Sequence, residues 1–141
     1  MVRELNTYVG LITSTHPVRT SPLEEKMVAN FPELAVRELL MNAVLHRSYE
    51  AASPVRFYQF SDRIEIQNPG PLYGEASPEN FPRQTSYRNP VIAEAMKTLG
   101  VVNRYGRGVE RAQLTLEKNG SPPAEFIFGD TFFGTIIRIR P

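Results

Sequence analysis

The chain has 141 residues, 41% hydrophobic and 22% charged, with 16 Lys and Arg against 15 Asp and Glu for a formal net charge of +1. That is the size and composition of about one ordinary globular domain, and the balance of charge supplies no electrostatic footprint for duplex DNA. With no cysteine and two histidines, disulfides, thiolate metal sites and a His-rich metal centre are excluded. No apolar run approaches the ~20 residues that span a bilayer, and the N-terminus lacks the basic-then-apolar plan of a signal peptide. A cytoplasmic location is expected.

Residues 1–30 are the least informative. Leu5, Tyr8, Val9 and Ile12 have helical spacing, and Thr13 to Pro22, with two prolines among Ser and Thr, reads as a linker. This stretch is read as a connector or N-terminal arm from a preceding domain, and 31–141 as the domain proper. Phe31-Pro32-Glu33 opens the first strong helix, since proline suits the first turn and a carboxylate suits the positive helix end. That helix is expected to run to about His46 or Arg47. Its apolar residues cover most of its circumference, which places it in a core and makes its polar residues informative.

Val55–Phe60 and Arg63–Gln67 flank Ser61-Asp62 as a hairpin, and Asn68-Pro69-Gly70-Pro71 stops the second strand. From Leu72 to Arg88 no periodicity survives, and a loop that long is usually functional or mobile. Asn89-Pro90 begins a second helix, with Asn as cap, and Gly100 ends it. Gly106-Arg107-Gly108 precedes a third helix, about Val109 to Lys118. Glu125–Phe128 and Phe133–Arg140 read as a last pair of strands, Ile alternating with Arg138 and Arg140 to leave one wet face. The sum is an α+β two-layer sandwich: a sheet of about four strands, mixed or antiparallel, with about three core helices on one face.

Glu38, Asn42 and His46 recur every fourth residue and form one polar stripe on a helix that wants burial. Such a stripe either lines a pocket or forms a core network, and spacing alone leaves both open. Gly106-x-Gly108 before a helix lets a ligand approach backbone N–H groups that favour anions, although on its own the pattern is more often a simple turn with a C-cap. There is no P-loop, nucleophile elbow or His-Glu-x-x-His. His46 is read as positioning Asn42 or the loop rather than as catalytic, and Arg47 as pairing with a carboxylate such as Glu50. Tyr49, Phe57, Tyr58, Phe60, Phe132 and Phe133 are read as core and sheet packing.

Four blocks stand in one order: Glu38-Leu-Leu-Met-Asn42-Ala43-Val-Leu-His46-Arg47-Ser-Tyr49, then Asp62-Arg63-Ile-Glu65-Ile-Gln-Asn68-Pro69-Gly70-Pro-Leu72, then Arg88-Asn89-Pro90-Val-Ile92-Ala93, then Tyr105-Gly106-Arg-Gly108-Val-Glu-Arg111. Together, over about residues 30 to 140, they resemble the ATP-binding C-terminal module of bacterial transcriptional regulators often labelled RecG-like helicases. That module is grouped with the GHKL ATPases and their Bergerat-like fold. The resemblance implies ATP and Mg²⁺ as cofactors. Glu38 would orient the attacking water, Asn42 would coordinate Mg²⁺, and Asn68-x-Gly70 would hold the base. Gly106 and Gly108 would touch the phosphates, with Arg88 and Arg107 as further phosphate contacts, and Leu72 to Arg104 would form a lid.

Three departures stand out. Asn68 replaces the usual Asp, Leu72 replaces a glycine, and no lysine lies near Gly106 and Gly108. The expected function is a nucleotide-binding regulatory domain of a transcriptional regulator, with slow Mg²⁺-dependent ATP hydrolysis as its enzymatic form. Helicase activity is not expected without motor machinery. The alternative is a degenerate fold serving as a dimerisation or interaction module. DNA contact is expected only through a preceding domain, a membrane partner is not, and a symmetric homodimer is expected by analogy alone.

Overall fold

The computed structural model describes residues 2–83, 86–102 and 107–141. In chain order it consists of α1 (Val2–Ile12), β1 (Thr15–Ser21), β2 (Glu24–Ala29), α2 (Glu33–His46), β3 (Arg56–Gln59), β4 (Arg63–Pro69), α3 (Pro90–Thr98), α4 (Gly108–Asn119), β5 (Glu125–Phe128) and β6 (Phe132–Arg138). The fold is α+β, as the hydrophobic pattern implies. Four strands form one antiparallel sheet in the order β3-β4-β6-β5.

Period-two alternation fixes which face of that sheet is dry. Ile64, Ile66 and Asn68 of β4 are buried, while Arg63, Glu65 and Gln67 between them are not. Against this face pack α2 and α4, so that Ile64, Ile66 and Ile137 share one core with Leu39 of α2 and Leu116 of α4. Helix α2 is enclosed nearly all round: Ala35, Val36, Leu39, Leu40, Met41, Ala43 and Leu45 are all buried. A central helix of this kind can keep polar groups only where a partner or a cavity receives them.

The expected linker at Thr13–Pro22 is instead the first strand of a second, two-stranded antiparallel sheet, β1 with β2. A two-stranded sheet leaves half of each strand's N–H groups unpaired, which accommodates Pro17 without breaking the ladder. The hairpin is tied to the end of α4. Asn119 accepts from the Ala29 N–H through Oδ1 (3.0 Å) and donates through Nδ2 to the Ala29 carbonyl (2.7 Å), copying a strand partner with one side chain. Arg140 Nε donates to the Asn119 carbonyl at 2.9 Å, fastening the chain's end to the same corner.

Asn89 also departs from expectation. It makes no side-chain cap bond to α3. Its Nδ2 donates instead to the carbonyls of Leu45 (2.9 Å) and Arg47 (2.7 Å), satisfying acceptors that the C-terminal end of α2 leaves without helical partners. Arg47 does not pair with Glu50: it donates to the carbonyls of Ala51 (3.3 Å) and Ser53 (2.7 Å) and lies over the ring of Tyr49.

Candidate functional site

The stripe on α2 opens into a cleft. Glu38, Asn42 and His46 line it together with Asn68 at the end of β4, Gly108 at the start of α4, and Leu72 and Phe81 from the segment between β4 and α3. Three parts of the chain far apart in sequence therefore converge on one wall. The free volume is about 70 Å³, well below the ~300–1,000 Å³ of ordinary ligand pockets. Pro71, Leu72, Tyr73, Ala76, Phe81 and Pro82, between β4 and α3, line it on one side.

The described ends of the segment between β4 and α3 are pinned together. Arg88 Nη2 donates to the Pro71 carbonyl (2.9 Å), and its guanidinium lies over the Tyr73 ring at 4.7 Å. One step further out, the Ser86 hydroxyl accepts from the Glu75 N–H at 3.1 Å. Phe81 anchors the tip against an aromatic cluster on the sheet, with ring centroids 4.9 Å from Phe126 and 5.4 Å from both Phe128 and Phe133. Tyr87 stacks on His46 at 5.5 Å and 16°. Burial, with the Arg88 charge second, pushes the His46 pKa down from 6.5 to about 4. His46 is therefore a neutral stacking surface at neutral pH, in line with a role in holding the loop.

Glu38 is only 8% exposed although it is charged and lines the cleft. Arg111 of α4 answers its charge, with Nη1 3.0 Å from Oε1. A Cβ added at Gly108 would come within 3.0 Å of Glu38 Oε2, so the carboxylate lies directly against the first turn of α4. Asn42 is half-buried, and its side chain makes no hydrogen bond among the described residues. Asn68 is 2% exposed, and its Oδ1 is buried with no hydrogen-bond partner. A sealed, unbonded amide oxygen costs about 1–3 kcal/mol.

Gly70 has φ +98°, where a side chain is strained, and a Cβ there would fall 2.9 Å from Ser48 Cβ and 3.2 Å from Arg88 Nη2. Gly70→Ala is expected to destabilise the fold by about 2 kcal/mol and to loosen the loop neck at Arg88. Urea unfolding checks this, and an unchanged midpoint would show that the turn relaxes freely.

Not every predicted site residue reaches the cleft. Gly70 packs against Ser48 and Arg88, Arg88 is occupied at the loop neck, and Arg107 is exposed at the N-terminal boundary of α4; none of the three lines the cavity. Gly106 lies outside the described residues, as does part of the expected lid, Leu72 to Arg104. Within that span α3 packs into the core through Ala93 and Met96, so segment 71–88 is the part positioned to cover the cleft. Phe133 is buried as read, but Tyr49, Tyr58, Phe60 and Phe132 are exposed. Sequence reasoning assigned no role to Arg111 or Phe81, because nothing local marks a pairing between distant helices or a ring that docks across a loop. A larger cavity, about 440 Å³, lies beside another face of α2 between Arg3, Leu5, Arg37 and Val101, and holds none of the predicted residues. No cluster of three or more His, Cys, Asp or Glu is placed to hold a metal among the described residues.

A family model described as "Putative ATP-dependent DNA helicase recG C-terminal" matches residues 52–137. The matched span includes Asn68, Gly70 and Gly108 and stops short of Glu38 and Asn42 on α2. The crystal structure of the DIP2311 protein from Corynebacterium diphtheriae, a structural genomics target, is similar over 99% of this chain at 26% identity and a TM-score of 0.85. The chain covers 29% of that protein's length. No curated protein matches.

Proposed function

The chain belongs to the RecG C-terminal family matched over residues 52–137, and on that premise we propose that the cleft beneath segment 71–88 binds a purine nucleotide, ATP foremost, with Mg²⁺. The observation that carries this reading is the buried, unbonded Oδ1 of Asn68 in the cleft wall. An exocyclic amino group of adenine would satisfy it. Because the residue is an amide, turning it exchanges acceptor for donor, so a 6-oxopurine also has a partner here, which an Asp would refuse. The missing Cβ of Gly108 lets groups approach the N-terminal end of α4 closely, as the Glu38 carboxylate does here, and the free N–H groups and helix dipole at that end favour negative charge, phosphate included.

Asn42 offers a half-buried amide oxygen on the same wall, enough for an ion that keeps most of its waters. Mg²⁺, when bound, neutralises phosphate charge. Glu38 is the group that accepts a proton from water as the water oxygen bonds to the terminal phosphorus; the bond from phosphorus to the bridging oxygen breaks, leaving a nucleoside diphosphate and phosphate. The narrowness of the cleft makes loop 71–88 the gate: nucleotide enters when Phe81 leaves its aromatic cluster, which couples occupancy to the conformation of this surface. In a longer protein that coupling would serve transcription control, with DNA held by another domain and a second copy as the natural partner.

Thermal shift with ATP, ADP, GTP and a non-hydrolysable ATP analogue, each with and without Mg²⁺, tests the reading. Ligand at 100 times its Kd adds about 2.7 kcal/mol, several degrees for a chain of this size. Asn68→Leu is expected to keep or raise the ligand-free Tm and to erase the nucleotide shift. Absence of any shift at millimolar nucleotide would reject the proposal in favour of an interaction module without nucleotide.

A further inference from the structure

We infer that Arg111 is a positioning residue for the proposed reaction, one that makes Glu38 compatible with phosphate at the start of α4. The inference rests on the nucleotide reading above. Glu38 Oε2 lies 3.0 Å from where a Gly108 Cβ would be. The carboxylate therefore occupies the same helix end that phosphate would use. Two anions cannot share that end without a cation, since unit charges a few ångströms apart repel strongly in a partly dry site. Among the described residues the cation in contact with Glu38 is Arg111, near the start of α4, its backbone N–H bonded to the Arg107 carbonyl at 3.0 Å.

Its guanidinium contacts the other oxygen, Oε1, at 3.0 Å. One carboxylate oxygen is thereby held, while Oε2 lies against Gly108 at the start of α4. Arg111 is itself about one-third exposed and does not line the cavity. It acts through Glu38 in two ways, cancelling the charge that would oppose phosphate and setting the rotamer that presents Oε2. Orientation and neutralisation predict different responses to substitution. A guanidinium donates from a rigid plane, so that it sets the direction of its single contact with Oε1, whereas an ammonium supplies the charge without that directionality.

The test measures nucleotide Kd and turnover on the 141-residue chain in four forms: unaltered, Arg111→Gln, Arg111→Lys, and Glu38→Gln with Arg111→Gln. Arg111→Gln is expected to weaken ATP binding by about tenfold or more, because an uncompensated carboxylate then faces the phosphates. Adding Glu38→Gln is expected to restore affinity to within about twofold while turnover stays absent. That is a rescue of binding which a purely structural ion pair does not predict. Arg111→Lys is expected to keep Kd and lower kcat. The double variant leaves no unpaired buried charge, so with Arg111→Lys it carries the test even if Arg111→Gln fails to fold. Unchanged affinity in Arg111→Gln, a double variant that binds about tenfold or more weaker than the unaltered chain, or Arg111→Lys with an unchanged kcat overturns the role of Arg111 alone. An unaltered chain that binds no nucleotide overturns both this inference and the proposal it rests on.

Discussion

Replacing Glu38 by Gln is expected to reduce Mg²⁺-dependent nucleotide hydrolysis by about 10²–10⁴-fold, the usual contribution of a positioned general base, while binding is kept or tightened. The substitution is isosteric, so the contact with Gly108 survives, and the amide oxygen can still accept from Arg111. What it removes is a basic oxygen facing the cleft and one negative charge at the start of α4. Single-turnover kinetics against independently measured Kd separate the two effects. A kcat loss at constant or lower Kd identifies an interaction made in the transition state. Hydrolysis that persists undiminished would leave Glu38 as a structural partner of Arg111, holding α2 against α4.

Why Glu38 was legible in the sequence and Arg111 was not follows from the range over which each signal acts. The stripe of Glu38, Asn42 and His46 is a local pattern, fixed by 3.6 residues per turn on a helix whose other positions are apolar. The bounds of α2, α4, β4 and β5 came out within a residue or two for the same reason, since periodicity and the Gly120 terminus lie within single elements. The Glu38–Arg111 pair is a tertiary fact, created only when α4 crosses α2. Asn89 shows the same limit from another side. Asn before Pro at a helix start is good cap chemistry, yet the amide turns to the end of α2, where free carbonyls in the fold compete better. The β1–β2 hairpin escaped notice because its pairing partner at its inner end is not only a strand but also the side chain of Asn119, which no strand pattern announces. Phe81 stands in a stretch without periodicity, and its role exists only because β5 and β6 present three more rings.

Acidification is expected to undo the loop's anchor in a defined window. The pKa of His46 is pushed from 6.5 down to about 4, first by burial and then by the positive charge of Arg88. Between those values the unfolded chain takes up a proton that the folded chain refuses. Stability owed to this group is therefore fully present above pH 6.5, falls as pH drops below it, and levels off below about pH 4. The total loss is about 3 kcal/mol at most, the free-energy equivalent of that depression. Protonation would place an imidazolium beside Arg88 and against Tyr87, so the first structure to yield is the neck of loop 71–88 rather than the distant sheet. Urea unfolding at pH intervals from 7 to 4 measures the slope, and His46→Phe, which keeps a ring for Tyr87 and removes the proton site, supplies the reference. The unaltered chain should lose about 3 kcal/mol more than His46→Phe across the window. Parallel curves would mean that His46 titrates normally when folded, and that other acid-sensitive groups account for the whole of any loss.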